Sequence, residues 1–208
     1  MNLDTTMYFI TDSTGFSEEE FLYRTEEACK GGVTLLQLRE KDKTTREYIT
    51  LAEKVHESTQ RYSIPLIIDD RVDVALAVNA EGVHVGQSDM PVAMARKLMG
   101  DNKIVGATAK TVPQALEAYE QGADYLGVGA IYPTTTKVKT VLTSVDTLKE
   151  IVKAVPIKVN AIGGLNKTNT DILKGSGIDG ICVVSAIMKA DAPYIAAKEL
   201  REAFYALQ

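Results

Sequence analysis

The chain has 208 residues, 45% of them hydrophobic and 25% charged, which is the composition of an ordinary soluble globular protein. This length suits one large domain, and we expect residues 1–208 to form it. The formal net charge of -5 disfavours a nucleic-acid partner, which requires a basic face. It still allows a local basic pocket for a small anion.

Cys29 and Cys182 are the only cysteines, and neither a CxxC spacing nor a histidine cluster accompanies them. We therefore expect two buried thiols in a reducing compartment, with no disulfide and no zinc site. Residues 1–6 lack a basic segment followed by an apolar one, and no apolar run has the length of a membrane span. These patterns predict a cytoplasmic protein with no membrane partner.

Eight short apolar runs alternate with segments of helical periodicity. The sequence from Ser17 to Glu20 resembles a helix capping box, and Thr44 is predicted to open a further helix. The predicted strands are 7–11, 35–38, 66–69, 82–85, 104–107, 125–128, 157–161 and 180–184. Further helices are predicted from about Val72, Pro91, Thr111, Val145, Asn169 and Asp191.

Several predicted helices end in glycine shortly before the next strand, as at 31–33, 122–124 and 177–179. Glycine adopts the left-handed conformation at a helix end easily, so short links of this kind can feed parallel strands. Eight such units predict a single-domain α/β (β/α)8 TIM barrel. A doubly wound open sheet is the alternative with the same alternation.

The sixth predicted strand runs into a polar segment that is typical of phosphate binding. Pro133 ends the strand, because proline has no N–H to donate. Thr134, Thr135 and Thr136 then offer hydroxyl donors and Lys137 a positive charge, which suits a phosphate or a diphosphate. A threonine-rich surface turn with a solvated lysine is the alternative.

The second predicted strand ends in a cationic group. Gln37 and Arg39 are two residues apart, so their side chains share a face of the strand, and Lys41 follows where the chain leaves the sheet. An amide, a guanidinium and an ammonium together suit one anion. The alternative is a salt bridge from Arg39 to Glu40 or Asp42 on a solvated rim.

Asp70 and Asp89 follow the third and fourth predicted strands. The carboxyl ends of barrel strands meet at one mouth, where enzymes of this fold have their active sites. Two carboxylates there suit Mg²⁺, which in proteins binds one or two carboxylates together with waters and phosphate oxygens. Alternatively, Asp89 caps the helix predicted from Pro91.

Gly163-Gly164 and Val184-Ser185 end the seventh and eighth strands, where barrels often bind a second phosphate. Ser185 has no evident histidine partner in the sequence, so a Ser/His/Asp hydrolase is disfavoured. We expect His56 to be exposed on its helix and His84 to lie inside the barrel or against a helix.

Seven motifs, in order along the chain, together resemble the thiamine-phosphate synthase family. The resemblance extends from Tyr8 to about Leu200, and it is specific as a combination although each motif alone is weak. The motifs are Gln37-Leu-Arg-Glu-Lys41, Asp70-Arg-Val-Asp73, Gly82-Val-His-Val-Gly-Gln-Ser-Asp89, Gly106-Ala-Thr-Ala-Lys110, Gly127-Val-Gly-Ala-Ile-Tyr-Pro-Thr-Thr-Thr-Lys137, Ala161-Ile-Gly-Gly-Leu165 and Val183-Val-Ser-Ala186.

The resemblance implies a transferase that joins two small-molecule substrates, hydroxymethylpyrimidine diphosphate and hydroxyethylthiazole phosphate. It implies catalysis by Arg39, Lys41, Thr108 and Lys137, and Mg²⁺ binding by Asp70 and Asp89. The implied pyrimidine diphosphate set is Gln37, Arg39, Lys41, Asp69, Thr108 and Lys137. The implied thiazole phosphate set is Thr134, Thr136, Gly164, Val184 and Ser185.

This chain departs from the family's usual pattern at four places. Asp69 replaces the usual Asn, Thr108 a Ser and Lys110 a His, and residues 138–144 lack the usual glycine-containing loop. The extra carboxylate of Asp69 beside Asp70 needs a neutralising partner. We expect that partner to be Lys41, Arg71, Lys110 or the metal.

Two alternatives to the synthase remain compatible with the sequence. A thiazole tautomerase-like paralogue would use a histidine, and we expect none near the fifth strand. A non-catalytic thiamine-phosphate binding protein would release no pyrophosphate. The sequence is also compatible with a homo-oligomer.

Overall fold

The computed structural model describes residues 3–133 and 141–207. Eight strands alternate with helices along the chain. The strands are β1 (Met7–Ile10), β2 (Leu35–Leu38), β3 (Leu66–Asp69), β4 (Gly82–Val85), β5 (Ile104–Ala109), β6 (Tyr125–Gly129), β7 (Lys158–Ile162) and β8 (Gly180–Val183). The helices are α1 (Glu18–Lys30), α2 (Thr45–Arg61), α3 (Val72–Ala77), α4 (Val92–Met99), α5 (Val112–Glu120), α6 (Val145–Ala154), α7 (Ser185–Met188) and α8 (Pro193–Tyr205), with a 3-10 helix at Thr170–Leu173.

All eight strands are parallel, and each pairs with its neighbours in chain order. β1 pairs with β2 on one side and with β8 on the other, which closes the barrel. The prediction of a TIM barrel is therefore confirmed. The doubly wound alternative is wrong, because an open sheet would leave two unpaired edges.

The local signals for strands and helix starts are largely confirmed. Strands β2, β3 and β4 have the predicted bounds, and the other five differ by one or two residues. Ser17 accepts a hydrogen bond from the Glu20 N–H, and Thr44 forms a complete capping box with Glu47. Both caps satisfy N–H groups that a helix start leaves without a partner.

The helix predicted from about Asn169 is only a four-residue 3-10 turn. Asn169 uses its side chain locally, donating to the Gly164 carbonyl and accepting from the Asn166 N–H. Gly175 and Gly177 then have φ values of 69° and 77°, which end any helical run. The apolar spacing alone could not show these competing turns.

Side chains of the strands alternate between the inside of the barrel and the layer under the helices. Gly106 makes room inside for the ring of Tyr125, since a Cβ at Gly106 would lie 2.1 Å from Tyr125 Cζ. The inner apolar cluster consists of Tyr8, Ile10, Leu35, Ile67, Ile104, Tyr125 and Cys182.

The predicted burial of both thiols is confirmed, since Cys29 and Cys182 are buried and unpaired. The prediction that His56 is exposed is wrong. His56 is only 8% exposed, and its Nε2 lies 3.2 Å from Glu81 Oε1. The other Glu81 oxygen accepts from the Leu66 N–H, so the carboxylate that covers His56 comes from outside its helix.

In residues 3–133 and 141–207, no helix has both the length and the apolar character needed to cross a membrane.

Candidate active site

A cavity of about 370 Å³ opens at the carboxyl ends of the strands. It collects most of the predicted site residues, because parallel strands of a closed barrel end at one mouth. Thr134, Thr136 and Lys137 lie outside the described residues, as do Thr135 and residues 138–140. The predicted residues that line the cavity are Gln37, Arg39, Lys41, Asp69, Asp70, Asp89, Thr108, Gly164, Val184 and Ser185.

Lys41 lies between two carboxylates at the end of β3. Its Nζ is 2.8 Å from Asp69 Oδ2 and also contacts Asp70 Oδ2. Burial alone would lower the pKa of Lys41, but Asp69 and Asp70 outweigh it and raise the pKa. The ammonium is therefore held in its charged form at the mouth of the cavity.

Asp69 also lies near Arg39, whose Nε is 3.8 Å from Asp69 Oδ2. The pairing expected for Asp69 is thus found with Lys41, while Arg71 instead pairs with Asp73 at 2.6 Å. The alternative of a rim salt bridge from Arg39 to Glu40 or Asp42 is wrong. Among the ion pairs of the described chain, Arg39 has a carboxylate partner only in the buried Asp69.

A tight turn places Asp69 and Asp70 beside the same ammonium. Asp70 has a φ of 61°, and the Arg71 N–H donates to the Asp69 carbonyl at 2.7 Å. The Asp70 N–H donates to the His84 carbonyl at 2.8 Å, which fixes the turn to β4. A left-handed residue that is not glycine is uncommon, and aspartate is one of the types that tolerate it.

Asp89 adds a second carboxyl group next to Asp70. Its Oδ2 accepts from the Gly86 N–H at 2.8 Å, and a Cβ at Gly86 would lie 2.7 Å from that oxygen. Burial and a hydrogen bond with Asp70 raise the pKa of Asp89. The alternative role as a helix cap is wrong, because α4 has Pro91 at its N-cap and no side-chain cap.

The other side of the cavity is formed by the ends of β7 and β8. Gly164 has a φ of 63°, and a Cβ there would lie 2.7 Å from Tyr132 Cβ. Only glycine therefore fits this close approach of two loops. The Tyr132 N–H donates to the Gly163 carbonyl at 3.0 Å, and Val184 and Ser185 complete this side.

His84 lies inside the barrel and reaches β5, so the expectation of no histidine near that strand is wrong. Its Nε2 is 2.9 Å from Thr108 Oγ1, and its Nδ1 is 3.1 Å from Tyr125 Oη. Tyr125 Oη is 2.6 Å from Tyr8 Oη, which accepts from Gln37 Nε2 at 2.6 Å. The contact arises because His84 and Thr108 both point inward on adjacent strands, a register that the sequence does not display.

Tyr8 and Tyr125 were not among the sequence-predicted site residues. Each lies in a strand that is buried on both faces, so hydrophobic alternation does not mark its inward position. The available signal was Gly106, the small residue on the strand next to Tyr125. Lys110, at the end of β5, also lines the cavity.

A closed eight-stranded barrel with cationic and acidic side chains grouped at the carboxyl ends of its strands is characteristic of TIM-barrel enzymes. The family model described as thiamine monophosphate synthase matches residues 7–187. The chain therefore belongs to the thiamine monophosphate synthase family, and it is a transferase of thiamine biosynthesis.

Two curated relatives are similar in sequence to this protein over most of its length. A thiamine-phosphate synthase of Methanobrevibacter smithii is 50% identical over 205 residues, covering 99% of this chain and 98% of that protein. A thiamine-phosphate synthase of Enterococcus faecalis is 55% identical over 185 residues, covering 89% of this chain and 87% of that protein.

Two solved structures superimpose on most of this chain. A thiamine phosphate pyrophosphorylase from Pyrococcus furiosus superimposes with a TM-score of 0.89 at 38% identity, covering 99% of this chain and 98% of the other. A 3-hexulose-6-phosphate synthase superimposes with a TM-score of 0.72 at 17% identity, covering 94% and 98% of the two chains. The second likeness shows the barrel fold alone.

Proposed function

We propose that this enzyme joins hydroxymethylpyrimidine diphosphate to hydroxyethylthiazole phosphate, forming thiamine phosphate and pyrophosphate. The observation that carries the proposal is one cavity with two different sides. Lys41, beside Asp70, marks one side, and the glycine turn at Gly164 with Ser185 marks the other. A diphosphate donor and a phosphorylated acceptor suit these two sides.

The donor side presents two cationic side chains that suit a diphosphate. Arg39 offers a planar fork of N–H donors and Lys41 a compact ammonium, both on the cavity wall. Asp69 and Asp70 keep Lys41 charged and oriented before a ligand binds. Preorganised cations of this kind stabilise negative charge that grows on a leaving group.

The residues present fit a Mg²⁺ ion. Asp70 and Asp89 lie close enough to share a hydrogen bond, and burial raises the pKa of Asp89. No cluster of three or more His, Cys, Asp or Glu side chains with metal-binding geometry occurs within 3–133 and 141–207. Two carboxylates completed by waters and diphosphate oxygens are the donor set that Mg²⁺ prefers. When bound by Asp70 and Asp89, it would neutralise charge on the diphosphate.

The reaction needs no side-chain nucleophile. In the proposed step the bond from the pyrimidine methylene carbon to the diphosphate oxygen breaks, and its electron pair leaves with pyrophosphate. The thiazole nitrogen then supplies the pair for the new carbon–nitrogen bond. Arg39 and Lys41 hold the leaving group, and Ser185 with the Gly164 turn would orient the acceptor by its phosphate.

The direct test combines the purified protein with both substrates, with and without Mg²⁺, and follows pyrophosphate and thiamine phosphate together. We expect the two products in equal amounts and only with Mg²⁺. Tight binding of thiamine phosphate without formation of either product would contradict the proposal and indicate a non-catalytic binding protein.

A further inference from the structure

Five polar side chains form one continuous hydrogen-bonded chain through the barrel interior. Gln37 and Thr108 are its two ends and line the cavity, whereas Tyr8 and Tyr125 lie below it and are at most 1% exposed. The successive distances are 2.6 Å from Gln37 to Tyr8, 2.6 Å to Tyr125, 3.1 Å to His84 and 2.9 Å to Thr108. We call these five residues the interior chain.

All hydrogen bonds of the interior chain must run in the same direction, because each hydroxyl has only one hydrogen to donate. Burial raises the pKa of Tyr8 and of Tyr125 well above the ordinary value, so each hydroxyl keeps its single hydrogen. Because Gln37 Nε2 donates to Tyr8, the hydrogen of Tyr8 goes to Tyr125, and that of Tyr125 goes to His84 Nδ1. His84 then carries its proton on Nε2 and donates to Thr108.

This direction defines what each end offers to a ligand. Gln37 lines the cavity, and its Oε1, which has no hydrogen bond to any residue in 3–133 or 141–207, is available there as an acceptor. Thr108 Oγ1 accepts from His84, and its own hydrogen is free to donate into the cavity. If the amide of Gln37 turned over, every hydrogen in the interior chain would have to reverse, and Thr108 would become an acceptor.

We infer that Tyr8 and Tyr125 are positioning residues that couple the orientation of Gln37 to that of Thr108. As a result, a ligand that donates an N–H to Gln37 must at the same time offer an acceptor to Thr108. This inference rests on the proposed function for the identity of the ring. The pyrimidine of thiamine carries an amino group, which suits the Gln37 carbonyl oxygen. A ring nitrogen or a diphosphate oxygen suits the Thr108 hydroxyl.

A pyrimidine that carries an oxo group in place of the amino group tests the coupling between Gln37 and Thr108. The oxo oxygen needs a donor from Gln37, which requires the amide to turn over and the interior chain to reverse. Thr108 would then lose its bond to the ligand acceptor as well. Discrimination against the oxo ring is therefore larger than one lost hydrogen bond at Gln37 would give.

The first experiment compares kcat/KM for the amino and the oxo pyrimidine diphosphates. We expect Tyr8→Phe and Tyr125→Phe to lower the amino-to-oxo ratio by about tenfold or more, because Gln37 can then rotate independently. The change should appear as a lower KM for the oxo compound, with kcat for the amino compound much less affected.

Tyr48→Phe is the matched control, since Tyr48 is equally buried but donates to the Leu38 carbonyl outside the interior chain. It should leave the amino-to-oxo ratio at the wild-type value. An unchanged ratio in Tyr8→Phe and Tyr125→Phe would overturn the inference. An equal fall of the amino-to-oxo ratio in Tyr48→Phe would also overturn the inference, because it would show that lost packing is the cause.

The second experiment reads the direction of the chain in the free protein by ¹⁵N NMR of histidine. The sequence has two histidines, and a His56→Gln background leaves only the signal of His84. We expect the Nε2–H tautomer in the parent. Gln37→Glu, measured above the pKa of the introduced carboxyl, can only accept from Tyr8 and should convert His84 to the Nδ1–H tautomer.

Adding Tyr125→Phe to Gln37→Glu should abolish that conversion, because the link to His84 is cut. Persistence of the Nε2–H tautomer in Gln37→Glu alone would overturn the inference. This measurement needs no substrate. If the wild-type protein formed no thiamine phosphate, the proposed function would fail, yet the tautomer of His84 would still decide whether the two ends are coupled.

Discussion

Lys41 Nζ lies 2.8 Å from Asp69 Oδ2 and contacts Asp70 as well, so one ammonium joins the last residue of β3 to the first residue beyond it. Asp69 is almost completely buried, and Asp70 is one of the two proposed Mg²⁺ ligands. The additional carboxylate of Asp69 is therefore neutralised within the protein before any ligand binds. Its negative charge is shared with a cation instead of facing the cavity alone.

We expect Asp69→Asn to change the KM for pyrimidine diphosphate at pH 7 by less than about tenfold, or about 1.4 kcal/mol. Lys41 keeps its contact with Asp70 in this variant, so its position changes little. Steady-state kinetics measures the effect, with Asp73→Asn as control because Asp73 pairs with Arg71 at the surface. A KM lowered by more than tenfold would mean that the carboxylate opposes binding of the donor.

Removing the shared cation should be far more damaging. We expect Lys41→Met to lower kcat by about a hundredfold, because a preorganised charge at the proposed diphosphate site is lost. Lys43→Met is the matched control, since Lys43 lies in the same loop but contacts Glu40 at 3.7 Å. Similar losses of kcat in both variants would contradict a specific role for Lys41.

The sequence predicted the barrel and the cavity because both follow from local order. Short strands with polar residues after them, as at Arg39 and Asp70, meet at one mouth once the barrel closes. The interior chain could not be predicted in this way. Its contacts join five strands, and the inward orientation of Tyr8 and Tyr125 depends on strand register rather than on any local pattern.

Two wrong predictions, on His56 and on Asp89, have different physical origins. His56 is buried, and its Nε2 contacts both Glu81, from the loop before β4, and Gln60 of its own helix. Asp89 looked like a helix cap from its spacing to Pro91, yet its carboxylate turns back to the Gly86 N–H. The contact of His56 joins two distant parts of the chain, whereas the contact of Asp89 lies within the turn 86–89 and competes with the capping role.

The absence of a side chain at Gly86 leaves room for the carboxylate of Asp89. A Cβ there would lie 2.7 Å from Asp89 Oδ2, so Gly86→Ala should displace the carboxylate without disturbing the strands. We expect the Mg²⁺ concentration at half-maximal rate to rise by about tenfold, since a proposed ligand is misplaced. Thermal unfolding should change little. An unaltered Mg²⁺ dependence would exclude Asp89 as a ligand.

The proposed activation by Mg²⁺ should also depend on pH. Burial and the neighbouring Asp70 raise the pKa of Asp89, so this carboxyl takes up a proton at a higher pH than an ordinary aspartate. As the pH falls through that raised pKa, the protonated form increases and the Mg²⁺ concentration needed for half-maximal rate should rise. Asp89→Asn should lose this dependence, whereas the exposed Asp101→Asn should retain it. Retention in Asp89→Asn would assign the titration to another group.

The two thiols should be inert in the folded protein. Burial raises the pKa of Cys29 to about 12 and the pKa of Cys182 well above its ordinary value. Because the thiolate is the reactive form, almost none is present at pH 8, and both sulfur atoms are shielded from reagents. We expect a thiol reagent to label neither cysteine in the native protein and both in guanidinium chloride. Rapid labelling of the native protein at pH 8 would contradict the burial of one of these side chains, and identification of the labelled peptide would show which.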